Sequence, residues 1–427
     1  MIYVLGFFVI QILATFLIKD FLPPGDGYAM LLVFTGIIAI SLYLYRNLKN
    51  EWLFVIFAGF AVRLIILFID LYVPSIGIFS SGTDTEYFHE VSVLVANGQY
   101  PLDQTHTVYV PFLSGLYYMI GEQRAYSQFL NIACWVFSAV FLFKSLNYLH
   151  IEKKLSFIAL LIFTLMPNSI FMSSILLREA LIIFFTTVSL YYFLRWMGER
   201  SFLQFGWAVV LSILAMMFHT GMIGLLLVYI ASFFWLERGK MGRKISTPLI
   251  YLLFVGGISF LVFQNADVFL SKFVTEEGGT VDYEIFAEGG SVYLASFSGL
   301  SGMAALLVAP LKMFYFLFSP LPLDWRGGAD IVSFLFDSSV YLFLIGATLY
   351  GLYRSKMPVR TKIFILLVIG MTVFIYSYGT QSAGTAMRHR NKIIPLLLLS
   401  YAAANSKQLL EFTKMKWTGS KGEKVDS

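Results

Sequence analysis

Apolar runs long enough to cross a bilayer recur from the first residues of the chain to position 405. A spanning helix needs about 20 mostly apolar residues. Such runs occupy 2–18, 28–45, 52–74, 126–143, 155–175, 179–197, 202–219, 220–236, 247–265, 331–353, 363–379 and 391–405. The pattern predicts an all-α polytopic transmembrane bundle of about 12 crossings. Two further apolar stretches break it. Residues 108–120 are short and hold Pro111, and 303–320 hold Pro310, Lys312 and Pro320. These read as re-entrant or interfacial segments on the external side, because irregular backbone at that depth is stable only against protein or a wet cavity. Residues 2–18 lack a basic n-region and a small-residue cleavage site, so they read as a retained first helix.

Composition agrees. Of 427 residues 58% are hydrophobic and 13% charged, about half the charge of an average soluble domain. A soluble enzyme, a disordered chain and a nucleic-acid partner are all excluded, in spite of a pI near 9.0. The single cysteine, Cys134, lies in an apolar run and reads as a core residue.

Basic residues orient a membrane chain. With both termini cytoplasmic, the inside segments 46–51, 144–154, 195–201, 237–246, 354–362 and the tail from 406 carry 20 of the 30 Lys and Arg residues. Residues 1–405 then form one transmembrane domain with large external loops at 75–125 and 266–330, and 406–427 form a basic cytoplasmic tail. The remaining basic residues fall at or near the external face, apart from Arg63 in the middle of a span. Candidate chemistry is therefore external.

Asp84, Glu86, His89 and Glu90 cluster in the first external loop, on a segment with helical apolar spacing over 85–96. Thr83 and Glu86 have capping-box spacing, so Glu86 is either a cap or part of a site. Asp84 stands at a loop-to-helix junction, where a carboxylate can take a proton from an acceptor hydroxyl. Asp84 and Glu86 are also possible oxygen ligands for a divalent cation, Mg or Mn. Arg63 is expensive at its depth, and Asp70 is a possible partner two turns on. Arg178 and Glu179 start a later helix, and His219 lies in an external turn. Arg388, His389, Arg390 and Lys392 crowd the external mouth of the last span, against the positive-inside trend. Arginine forks suit a lipid-linked phosphate or diphosphate, or the headgroups of ordinary lipids. The loop 319–330 places Trp325 beside Asp324 and Arg326, in either a sugar site or an aromatic belt. The acidic loop 275–290 is either a lid or a solvated linker.

The stretch from Arg63 to about Trp196 resembles the GT-C superfamily of polytopic glycosyltransferases, in particular protein O-mannosyltransferases and aminoarabinose transferases. The residues that carry the resemblance are Arg63 within VRLIILFID, Asp84 with Tyr87 after a short external link, VANGQYP, Pro111 with a short apolar segment ending at Gly121, Pro167–Asn168, and the Arg178–Glu179 helix start. Asp84-Thr85-Glu86 stands where those families have an Asp-Glu pair, closer to the Asp-x-Asp of metal-using oligosaccharyltransferases. The resemblance implies that Asp84 is the catalytic base. It also implies a polyprenyl-phosphate-linked sugar donor whose phosphate meets external arginines. By charge and side these are Arg178, Arg388 and Arg390, with Arg63, His89, His219 and His389 as further candidates.

The expected activity is transfer of a sugar from that donor to a glycan, lipid or protein acceptor at the external face of a bacterial plasma membrane. Two alternatives share some of these features. A polysaccharide polymerase or ligase acts on diphosphate-linked glycans. A lipid or solute transporter needs ionisable residues across the membrane and paired internal repeats, and no repeat is evident here.

Overall fold

The computed structural model describes residues 6–7, 9–11, 13–14, 26–73, 83–105, 107–237, 292–294 and 302–407. Among them the fold is 85% helix with no strand. The helices are α1 (Asp26–Asn47), α2 (Asn50–Tyr72), α3 (Thr83–Ala96), α4 (Tyr109–Ile120), α5 (Arg124–Tyr148), α6 (Lys153–Leu165), α7 (Pro167–Ser174), α8 (Glu179–Glu199), α9 (Phe202–Phe218), α10 (Ile223–Glu237), α11 (Gly302–Phe318), α12 (Gly328–Arg354), α13 (Val359–Tyr378), α14 (Ala383–Lys392) and α15 (Ile394–Asn405). A π-helical turn, Phe334–Ser338, interrupts α12.

Six of these helices, α1, α2, α5, α8, α12 and α13, are long and apolar enough to cross a membrane. The chain is an integral membrane protein. α5 and α8 form the centre: 89% and 78% of their most apolar windows are buried, against 28–39% for the other four. Small residues on α5 (Ala133, Cys134, Ser138, Ala139) allow close approach, and the Ser138 hydroxyl donates back to the Cys134 carbonyl. The outer helices invert the soluble pattern. On α1, Phe34, Ile38, Leu42 and Tyr45 form one exposed stripe, the face a lipid would cover.

Several expected spans take other forms. The run 155–175 is two helices, α6 and α7, bent by 52°. Pro167 has no N–H to continue the ladder. The runs 202–219, 220–236 and 391–405 form shorter helices of 17, 15 and 12 residues. The two interrupted stretches 108–120 and 303–320 are regular helices, α4 and α11, with Pro310 inside the latter. α4 packs against α3, so the described part of 75–125 before α5 is largely a helical hairpin. The run 247–265, the loop 275–290, His106 and nearly all of the tail lie outside the described residues, as does most of 2–18.

Two buried arginines bind helix ends to their surroundings. The last carbonyls of a helix have no partner within it. At the end of α6 the Thr164 carbonyl accepts from Arg63 Nη1 at 3.0 Å. Arg63 also donates to the Gly59 carbonyl (3.0 Å), Ser173 Oγ (2.7 Å) and Ser169 Oγ (3.4 Å), and its guanidinium lies 3.4 Å from the centre of the Trp135 ring. Asp70 is not its partner. That carboxylate accepts from Gln128 at 2.7 Å and sits 3.9 Å from Arg124. At the end of α11, Arg390 Nη1 donates to the Leu317 carbonyl (3.0 Å) and the Ser319 carbonyl (2.7 Å). Its other edge grips Asp337 in the π-turn of α12 (Nε to Oδ2, 2.7 Å) and Ser338 Oγ.

Replacing Arg63 with Leu leaves the Thr164 carbonyl buried without a donor, at a cost of about 1–3 kcal/mol. A lower midpoint in detergent thermal unfolding checks it. Gly59→Ala builds a Cβ 2.7 Å from the Trp135 ring and closer still to the Thr164 methyl. Overpacking of this kind costs about 1–3 kcal/mol, and the same measurement reads it.

Candidate functional site

α14 organises the site. Ser382 caps it by accepting from the Thr385 N–H. At about 100° per residue, its consecutive polar side chains leave in different directions. Arg388 and Lys392, four apart, share the face toward α8. Residue 389 turns toward the α9 end and α13, and residue 390 toward α11 and α12.

Glu179 is the first residue of α8, where the helix dipole favours an anion. The turn before it is held by Asn131 of α5, whose amide donates to the carbonyls of Ile175 (3.0 Å) and Leu177 (2.7 Å). Glu179 is fully buried, and its Oε1 accepts from Arg388 Nη2 at 2.9 Å and Nε at 3.3 Å. Lys392 Nζ, also fully buried, lies 3.5 Å from the same oxygen, an ion-pair contact without a hydrogen bond. The other end of Arg388, Nη1, grips Asp84 in the first turn of α3. Residues 304 positions apart thus touch.

Arg178, just before α8, is half-buried with its guanidinium 5.8 Å from the centre of the Phe88 ring, one turn along α3 from Asp84. It makes no ion pair among the described residues, and its Nε is buried without a hydrogen-bond partner there. The buried Tyr376 hydroxyl and Glu179 Oε2 also lack one, and Tyr376 lies within electrostatic reach of both Glu179 and Arg178.

His219 and His389 meet beside Tyr376, with Nε2 to Nε2 at 3.1 Å. The surrounding bonds assign their protons. His219 Nδ1 accepts from the Gly221 N–H (3.1 Å), so its Nε2 carries hydrogen and donates to His389. His389 Nδ1 then donates to Thr380 Oγ1 (3.0 Å), which donates to the Tyr376 carbonyl (2.7 Å).

The other expected site residues stand apart. Arg63 and Arg390 are fully buried on the helix ends described above, with no guanidinium edge free for a phosphate. Glu86 is exposed and paired with Arg124 at 3.0 Å. Residues two apart on a helix do not face each other, and Asp84 and Glu86 turn to different arginines. They do not fit a shared divalent cation, and no group of three potential metal ligands occurs among the described residues. His89 Nδ1 lies 2.8 Å from the Tyr117 hydroxyl within the α3–α4 hairpin. In the loop 319–330, Arg326 pairs with Asp330 at 2.8 Å and Trp325 packs edge-on against Phe334.

Lys392, Glu179 and Tyr376 join the site without having been singled out as site residues. For Lys392 the signal was present: it is one helical turn from Arg388. No family model, curated protein or solved structure matches the chain.

Burial, and to a lesser degree the Arg124 charge, hold the His89 imidazole below the usual histidine range. The fold therefore prefers neutral His89. Its contribution is present above about pH 6.5 and is lost as the pH falls below that value, since the unfolded chain then binds the proton first. His89→Gln should lose less stability than the parent between pH 7 and pH 5, read as the difference in thermal midpoints.

Proposed function

We propose that the chain is a membrane glycosyltransferase of GT-C type, with about 12 crossings and both termini cytoplasmic. It moves a sugar from a polyprenyl-phosphate-linked donor to an acceptor hydroxyl at the external face of a bacterial plasma membrane. The observation that supports this best is the meeting of Asp84 with Arg388, beside an Arg178 that has no ion pair among the described residues.

The charges of the cluster suit this chemistry. Asp84 balances Arg388. Glu179 balances Lys392, wherever a proton lies between them. Arg178 is left with one formal positive charge. A sugar phosphodiester carries one negative charge and neutralises it. In the reaction the acceptor oxygen bonds to the anomeric carbon, the bond from that carbon to the phosphate oxygen breaks, and the hydroxyl proton passes to Asp84. The leaving phosphate gains a negative charge as Asp84 loses one, so the site stays neutral throughout. Arg178 and Arg388 stabilise the growing phosphate charge, which matters most where water is excluded. The leaving oxygen then needs no acid. A diphosphate-linked donor would hold the same cluster one charge away from neutrality.

The test is turnover by the protein reconstituted in lipid vesicles. A sugar on a polyprenyl monophosphate should be consumed, with Asp84→Asn lowering kcat by about 10²–10⁴-fold, the usual contribution of a general base. Arg178→Gln should raise the KM for donor. Turnover only of a diphosphate-linked oligosaccharide, or full activity of Asp84→Asn, overturns the reading.

A further inference from the structure

We infer that Arg388 is a clamp on Asp84 that the donor phosphate opens, so that donor binding uncovers the base. The inference rests on the glycosyltransferase reading and concerns how that site is regulated.

The two ends of the Arg388 contact differ. Its inner edge holds Glu179, whose side chain is fully buried and which Lys392 also neutralises. Its outer nitrogen, Nη1, holds Asp84, whose side chain is 43% exposed. An anion arriving from the exposed side beside Arg178 meets Nη1 first. There it can replace Asp84 like for like, one anionic oxygen for another on the same donor. The inner edge need not move, so the exchange costs little rearrangement. Glu179 would keep Arg388 aimed at the phosphate, with Lys392 supporting it from the same helical face. Glu179 and Lys392 are positioning residues in this arrangement.

A carboxylate gripped by a guanidinium is a poor proton acceptor, because the ion pair favours its charged form. Before donor binds, Asp84 is therefore masked. Once the phosphate takes Nη1, Asp84 is released at the site where the acceptor hydroxyl must arrive. Donor must bind first, and an acceptor that enters an empty site finds no base. Lys392 gives the clamp its fixed end: without it Glu179 depends on Arg388 alone, and the guanidinium is drawn inward.

The test labels carboxyl groups of the full-length protein in lipid nanodiscs with a water-soluble carbodiimide and an amine, quantified at Asp84 by peptide mass spectrometry. The probe is a short-chain polyprenyl monophosphate carrying no sugar. Its binding is followed separately by the shift in thermal midpoint. Saturating lipid phosphate should raise Asp84 labelling about fivefold, the scale on which a single ion pair resists. Arg388→Gln should label at the high rate with or without lipid. Arg388→Lys, which keeps the charge but cannot bridge two carboxylates, should start from an intermediate rate and serves if the Gln variant does not fold. Unchanged or reduced Asp84 labelling when the lipid phosphate is bound overturns the clamp and leaves the donor reading standing. Failure of the lipid phosphate to bind at all overturns both.

Discussion

The fold depends on one constraint: a helix that ends inside the protein leaves buried carbonyls that must find donors there. Here arginines supply them. Arg63 serves the end of α6, and Arg390 serves the end of α11. A guanidinium suits this role because it offers several N–H groups in one plane, and because positive charge is favoured at a helix C-terminus. Without the bend at Pro167, α6 and α7 would be one straight helix and α8 would not begin where it does. Without the Arg390 anchorage, α14 would lose its register against α11 and α12.

Register on α14 is what the cluster needs. Arg388, His389, Arg390 and Lys392 serve three separate neighbourhoods from five consecutive positions. Arg390 takes the structural direction, and that fixes the rotation of the helix. Arg388 and Lys392 are then aimed at Glu179, and His389 at His219. The structural arginine and the site cations are thus two consequences of one orientation. Glu179 is held equally firmly from the other side, since Asn131 of α5 ties down the turn before α8.

Much of this was legible in the sequence, for reasons that differ by residue. The apolar runs of α1, α2, α5 and α8 are long and uninterrupted, so their boundaries fall within a few residues of the hydropathy pattern. The break within 155–175 was marked by Pro167, but an apolar run gives no bend angle. Asp84 and Arg388 stood out as charges beside apolar runs, and their contact did not, because no local pattern links residues so far apart. Arg63 and Arg390 looked like ligand-binding groups for a physical reason: from the sequence, a buried arginine that satisfies a helix end and one that awaits a phosphate carry the same cost. Only the position of the neighbouring carbonyls separates them. Glu86 illustrates the local limit. Its carboxylate pairs with Arg124, 38 residues on, a partner that no local spacing marks.

The separation along the chain between Arg63 and its acceptors has a bearing on how the protein is made. Thr164 and Ser173 lie 101 and 110 residues downstream of it. Chain synthesis delivers the arginine with only the Gly59 carbonyl of its own helix to accept from it. The Thr164 carbonyl and the Ser169 and Ser173 hydroxyls are supplied only when α6 and α7 are made. Asp84 waits longer still, for Arg388 arrives 304 residues later. The cluster is therefore completed only once α14, the last but one of the described helices, is in place.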